Sequence, residues 1–124
     1  MAALPPTSLG LSRERRIKQA RDFSRAKLRG KRVASGCLVA NWLPLASGSA
    51  SRLGVITSRR LGGAVTRVRA RRLLREAFRL HQLELSQPLD LVLVARASIV
   101  GKAFSGVEKD FLSALRQAKL LKEA

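Results

Sequence analysis

The sequence predicts an α+β fold, a two-layer α/β sandwich, and three observations predict it. Three short apolar runs, Cys37–Leu43, Leu53–Thr57 and Leu89–Ala95, are too short for buried helices and read as strands. Two stretches with apolar residues every three to four positions, Val65–Gln82 and Gly106–Leu121, read as amphipathic helices and alternate with those strands. A length of 124 residues with 46% hydrophobic content bounds the chain to about one domain with a real core.

Taken in order, Met1–Ser12, with Pro5 and Pro6, reads as a flexible arm, and residues 13–124 as a single domain. Arg13–Arg32 is a basic block of ten cations against Glu14 and Asp22. Within it Gln19–Leu28 forms a short helix, for which Gly30 supplies a left-handed end. Pro44–Ser51 is the turn that makes Leu53–Thr57 the hairpin partner of Cys37–Leu43. The pair Gly62-Gly63 breaks the chain before the long helix, and Pro88 opens the third strand. Ser105-Gly-Val-Glu108 fits a capping box for the closing helix. There Phe104, Val107, Phe111, Leu115 and Ala118 form a core-facing stripe.

Charge narrows the function. Lys and Arg number 25 against 8 Asp and Glu, a net charge of +17, and a compact chain with that self-repulsion calls for a polyanionic partner. No apolar run approaches the ~20 residues of a membrane span, and the N-terminal stretch lacks the pattern of a secretory signal, so a cytoplasmic protein without a membrane partner is expected. One cysteine and one histidine exclude a Cys/His zinc site and an intramolecular disulfide. Cys37 reads as a core residue and His81 as a polar cap at a helix C-terminus. Trp42, on a strand, reads as core more readily than as a stacking residue.

Between Arg59 and Arg79 stand eight arginines, no lysine and a single acid, Glu76. The guanidinium fork matches phosphate oxygens, so this bias points to nucleic acid. At about 100° per residue, Arg67, Arg71, Arg72, Arg75 and Arg79 share one arc, and Ala70, Leu73, Leu74, Ala77, Phe78 and Leu80 the opposite one. Solvated faces interleave acids with bases; here neighbours are mostly like-charged and repel by a few tenths of a kcal/mol per pair.

The run from Ser58 to Phe78, with Arg59-Arg60, Gly62-Gly63-Ala64-Val65, Arg67-Val-Arg69, Arg71-Arg72 and Leu73-Leu-Arg75 before Phe78, resembles the signature of the bacterial ribonuclease P protein family. Arg16-Ile-Lys18 with Asp22-Phe23 resembles that family's N-terminal block, and Leu91–Arg96 its last strand, so the resemblance covers roughly Arg13–Leu121. It implies a mixed sheet of about four strands flanked by helices, with a left-handed βαβ crossover and a fourth strand near Arg15–Lys18. It further implies that Arg59, Arg60, Arg67, Arg69, Arg71, Arg72 and Arg75 face a catalytic RNA. A cleft between the sheet and the first helix would hold the 5′ leader of precursor tRNA, with Arg16, Phe23, Lys27 and Asn41 as its candidates. Gly63 and Val68 stand where the family usually has asparagine, and Lys27 where it often has a second aromatic.

The implied activity is endonucleolytic removal of the leader by a ribonucleoprotein whose RNA holds the required magnesium; the protein would bind no cofactor and need no protein partner. The eight acids are scattered singly, unlike the converging carboxylates of a two-metal protein nuclease. A small ribosomal protein shares the charge but not the arginine signature. A DNA-binding regulator would want a second short helix packed across the basic one, where strands stand instead.

Overall fold

The structure, a computed structural model, describes residues 15–122; the expected N-terminal arm lies outside the described residues. Helix α1 spans Ala20–Arg29, followed by strands β1 Lys31–Ser35, β2 Leu38–Pro44 and β3 Arg52–Ile56. Helix α2 spans Ala64–His81, strand β4 Leu89–Ala95 and helix α3 Phe104–Gln117. The four strands form one mixed sheet in the order β1-β2-β4-β3. β1–β2 and β2–β4 are antiparallel, while β3 runs parallel to β4 and reaches it through α2, a βαβ crossover.

Alternation along the strands divides the apolar side chains between two faces. Leu38, Ala40, Trp42, Leu53, Leu91 and Leu93 point toward α2 and α3, where Leu74, Phe78, Val107, Phe111 and Leu115 close the main core. On the opposite face Val92 meets Ile17 and Ala26 under α1, with Phe23, Ile56 and Val94 at the margin. Trp42 and Cys37 are core residues, as expected.

Several expectations are corrected. β3 is not the hairpin partner of β2: that partner is β1, and the chain from Pro44 to Ser51 instead passes β4, where Leu45 N–H donates to the Pro88 carbonyl at 2.9 Å. The fourth strand is Lys31–Ser35, while Arg15–Lys18 contributes a single parallel bridge between Arg16 and Leu53. Lys31 and Arg32 hide β1 from a hydrophobic reading, yet charged residues are what an edge strand uses against pairing with other chains. Gly30 is extended (φ −83, ψ 178), not left-handed; it is needed because a side chain there would strike the carbonyls of Trp42 and Ala26.

The closing helix begins at Phe104 and ends at Gln117 rather than running from Gly106 to Leu121. Lys119 at φ 60 and the Leu120 N–H donated back to the Leu115 carbonyl at 2.9 Å end it, the pattern of a Schellman stop. No side chain caps its start, so the capping box does not form: Ser105 lies inside the first turn, and Glu108 is drawn to His81.

Candidate RNA-binding surfaces

Helix α2 buries Ala70, Leu74, Ala77 and Phe78, which fixes the rest of its circumference. Arg69 and Arg72 are exposed, and Arg67, Arg71, Arg75 and Arg79 are half-buried. Tertiary neighbours give these arginines different surroundings. Arg71 donates to Thr57 Oγ1 at 2.7 Å on the sheet side, Arg69 to the Lys102 carbonyl at 2.9 Å on the α3 side, and Arg79 is held by Glu76 at 2.6 and 2.8 Å. Arg59 and Arg60 are exposed on a 3-10 turn that precedes the helix. Gly62, at φ 136, spends its N–H on the Arg59 carbonyl, and Gly63 begins the helix without a capping side chain.

The described acids are all engaged elsewhere. Among the described residues Asp22 and Asp90 pair with Arg52, Glu76 with Arg79, Glu84 and Glu108 with His81, and Asp110 with Lys102. None pairs with Arg59, Arg60, Arg67, Arg69, Arg71, Arg72 or Arg75. Burial, then the like charges of Arg16 and Arg71, pull the Arg75 guanidinium below its ordinary value. The Arg67 Nε is buried without a hydrogen-bond partner. Such crowding costs free energy unless an anion relieves it.

A groove of about 440 Å³ runs between α1 and the end of β3, lined by Ala20, Phe23, Ser24, Lys27, Val55, Ile56, Thr57 and Arg71. Phe23 is half-buried, and its ring lies so close over Gly54 that a Cβ there would strike it. The glycine in β3 thus seats the aromatic. One side of the ring belongs to the α1-side apolar cluster and the rest opens to the groove.

Of the leader candidates, Phe23 and Lys27 line this groove. Arg16 lies apart from it, around a second depression with Arg72, Arg75 and Arg79. Asn41 faces the α1 side of β2, opposite Arg32 and Val92, but is buried and outside the groove lining. Val55, Ile56, Thr57 and the groove position of Arg71 were not readable from sequence. A helical projection gives an angle around α2, not what packs beside it. Val68 is half-buried, belongs to neither apolar cluster, and lines a shallow outward depression with Ala64, Val65, Arg69 and Arg72.

Two further polar centres support the scaffold. Both His81 ring nitrogens face carboxylates, Nδ1 at 2.6 Å from Glu84 and Nε2 at 2.7 Å from Glu108, and in its protonated form the ring donates to both and ties the end of α2 to α3. Burial lowers its pKa, but the hydrogen bonds of Glu108 and Glu84 and their charges outweigh burial and leave it raised. Burial, with the neighbouring Asp110, pushes the Cys37 thiol up to about 11, so the sulfur stays protonated and inert.

A mixed sheet carrying an arginine helix whose one acid, Glu76, neutralises only Arg79, beside a basic groove floored by an aromatic, defines a polyanion-binding α+β protein. Comparison with known proteins gives the family. The family model for Ribonuclease P matches residues 11–119. The ribonuclease P protein component of Syntrophomonas wolfei is 34% identical over 110 residues, covering 89% of this chain and 92% of that one. That of Desulfatibacillum aliphaticivorans is 39% identical over 89 residues, covering 72% and 75%. The solved ribonuclease P protein of Staphylococcus aureus superposes with a TM-score of 0.79 at 28% identity, over 87% of this chain and 98% of that one. That of Thermotoga maritima gives 0.73 at 26% identity, over 82% and 96%. The chain belongs to the bacterial ribonuclease P protein family.

Proposed function

We propose that this chain binds the catalytic RNA of ribonuclease P through α2 and the turn at Arg59–Leu61, and holds the 5′ leader of precursor tRNA in the groove between α1 and β3. The observation that carries this reading is the set of seven arginines without a carboxylate partner among the described residues, one of which, Arg71, also lines the groove. Phosphate contacts of this kind release counterions and supply most of the affinity, so binding weakens steeply with salt. In the groove Phe23 offers a ring on which a base stacks, worth about 1–3 kcal/mol, while Lys27 and Arg71 neutralise the strand's phosphates. With Lys27 in place of a second aromatic, grip on the leader is more electrostatic and less dependent on stacking.

On this reading the cleavage chemistry belongs to the RNA, whose magnesium ions activate the attacking water; the protein orients substrate and screens phosphate repulsion. Among the described residues no three His, Cys, Asp or Glu side chains come together as a metal site, and each described carboxylate already serves a cation of the fold. The test is reconstitution: adding the protein to protein-free ribonuclease P RNA at low magnesium restores leader removal. A folded protein that fails to do so overturns the proposal, and one that cleaves precursor without RNA overturns the division of labour.

A further inference from the structure

Helix α1 has a second face that the groove does not use. It turns Phe23 and Ala26 inward and Lys27 toward the groove. Arg21, Arg25, Leu28 and Arg29 are exposed. The four-residue spacing of Arg21, Arg25 and Arg29 sets them along one side of the helix in steps of about 6 Å. Lys18 precedes them, and Arg32, opposite Asn41 on the α1 side of the edge strand β1, continues the exposed cations.

Among the described residues the one carboxylate here is Asp22, which lies 3.7 Å from Arg25 and is shared with Arg52 at 3.5 Å. Arg52 holds Asp90 as well, so Asp22 also braces α1 on the sheet. Lys18, Arg21, Arg29 and Arg32 have no carboxylate partner among the described residues. A face that only keeps a helix in water gains by placing acids four residues from bases; Arg21/Arg25 and Arg25/Arg29 are like-charged and repel. Among these cations stands Leu28, 83% exposed, an apolar surface suited to a base or ribose rather than to water. Ala20 and Ser24, which line the groove, are the helical neighbours of Arg21 and Arg25, so stripe and groove adjoin over the rim of α1. The arginine helix lies on the opposite face of the sheet.

We infer that this outer face of α1 is a second leader-binding surface: it takes the leader nucleotides farther from the cleavage site, after the strand leaves the groove and crosses the rim of α1. The inference rests on the groove holding the nearer part of the leader. Charge complementarity selects a phosphate backbone, and continuity with the groove selects the leader over another segment of RNA. The recognition is insensitive to sequence, because cations spaced along a helix read phosphates and not base edges.

The test uses the reconstituted holoenzyme and two precursor tRNAs, one whose leader ends within the groove and one several nucleotides longer. Replacing Arg21, Arg25 and Arg29 by Gln should weaken binding of the long-leader precursor about ten-fold at moderate salt and lower its salt slope by about 2, at roughly 0.7 per single-strand contact. Affinity for the short-leader precursor and for the catalytic RNA should stay as in the wild type. Equal loss for both precursors places the stripe on the tRNA body or the catalytic RNA and overturns the inference, as does unchanged binding of both by a protein whose melting temperature is unaltered. The variant Lys27→Gln, made in parallel, reports on the groove alone. If it leaves both precursors bound as tightly as before, the groove reading fails whatever the stripe does.

Discussion

Replacing His81 by alanine removes the one side chain that joins the C-terminal turn of α2 to α3 by charge. In the native protein both ring nitrogens meet carboxylate oxygens, at 2.6 Å to Glu84 and 2.7 Å to Glu108, and the ring also lies tilted 6.3 Å from Phe111. The His81 side chain is 15% exposed and that of Glu84 53%, so the Glu84 contact is a surface pair, worth about 0–1 kcal/mol. The half-buried Glu108 contact is a charge-assisted hydrogen bond of about 1.5–3 kcal/mol. The substitution should therefore cost about 2–3 kcal/mol, which at about 4 °C per kcal/mol for a domain of this size lowers Tm by about 8–12 °C. The sign of the pH dependence follows from the raised pKa of the ring. Stability from the clamp is complete below the ordinary value of 6.5 and is lost as pH rises through the higher folded-state value. Thermal melts followed by circular dichroism at pH 6 and pH 9 check this. The gap between wild type and His81→Ala should be wide at pH 6 and narrow at pH 9, and a gap of equal size at both would show that the ring works by packing and not by charge.

Replacing Arg67, Arg71 and Arg75 together by Gln should weaken binding to the catalytic RNA and flatten its salt dependence by about 2–3 units of slope, read from titrations at several salt concentrations. Phe23→Ala should lose about 1–3 kcal/mol for precursor and little for mature tRNA; equal losses for both ligands would assign the ring to packing alone. Gly54→Ala, which drives a methyl into the seat of Phe23, should reproduce the same leader-specific loss without removing the aromatic. Val68→Asn should leave Tm within about 1 °C, since Val68 belongs to neither apolar cluster, and should leave binding to the catalytic RNA unchanged or tighter. A clear drop in its melting temperature would make Val68 a packing residue.

What the sequence disclosed and what it withheld have a common physical cause. Periodicity reports which side of an element is buried, so α2 and its inward residues Ala70, Leu74, Ala77 and Phe78 were legible, as were β2 and β4, whose apolar residues face helices on both sides of the sheet. Periodicity says nothing about which elements become neighbours. The loop from Pro44 to Ser51 has the Gly and Ser composition of a hairpin turn, yet the parallel partnership of β3 with β4 depends on α2 covering both strands. β1 escaped notice because an edge strand is stabilised by its ladder to β2 while its side chains remain largely in water, and Lys31 and Arg32 carry no apolar signal.

The same limit governs the site. Residue type marked the arginines as contacts for a polyanion, since unpaired guanidinium groups repel one another, whereas Phe23 was singled out by the resemblance and not by residue type, aromatic side chains being ordinary core residues. The groove required tertiary structure: Phe23 is held open to it because Gly54, thirty-one positions away, has no side chain, and Arg71 reaches it because Thr57 accepts its hydrogen bond at 2.7 Å. Arg71 therefore joins two surfaces that the sequence kept separate. A leader strand in the groove and a catalytic RNA on α2 would meet the same guanidinium from two sides, and each phosphate would lower the cost of holding Arg71 beside Arg75. Relief gained from one RNA is then not available to the other, so the two binding energies at Arg71 are less than additive, with no movement of the backbone required.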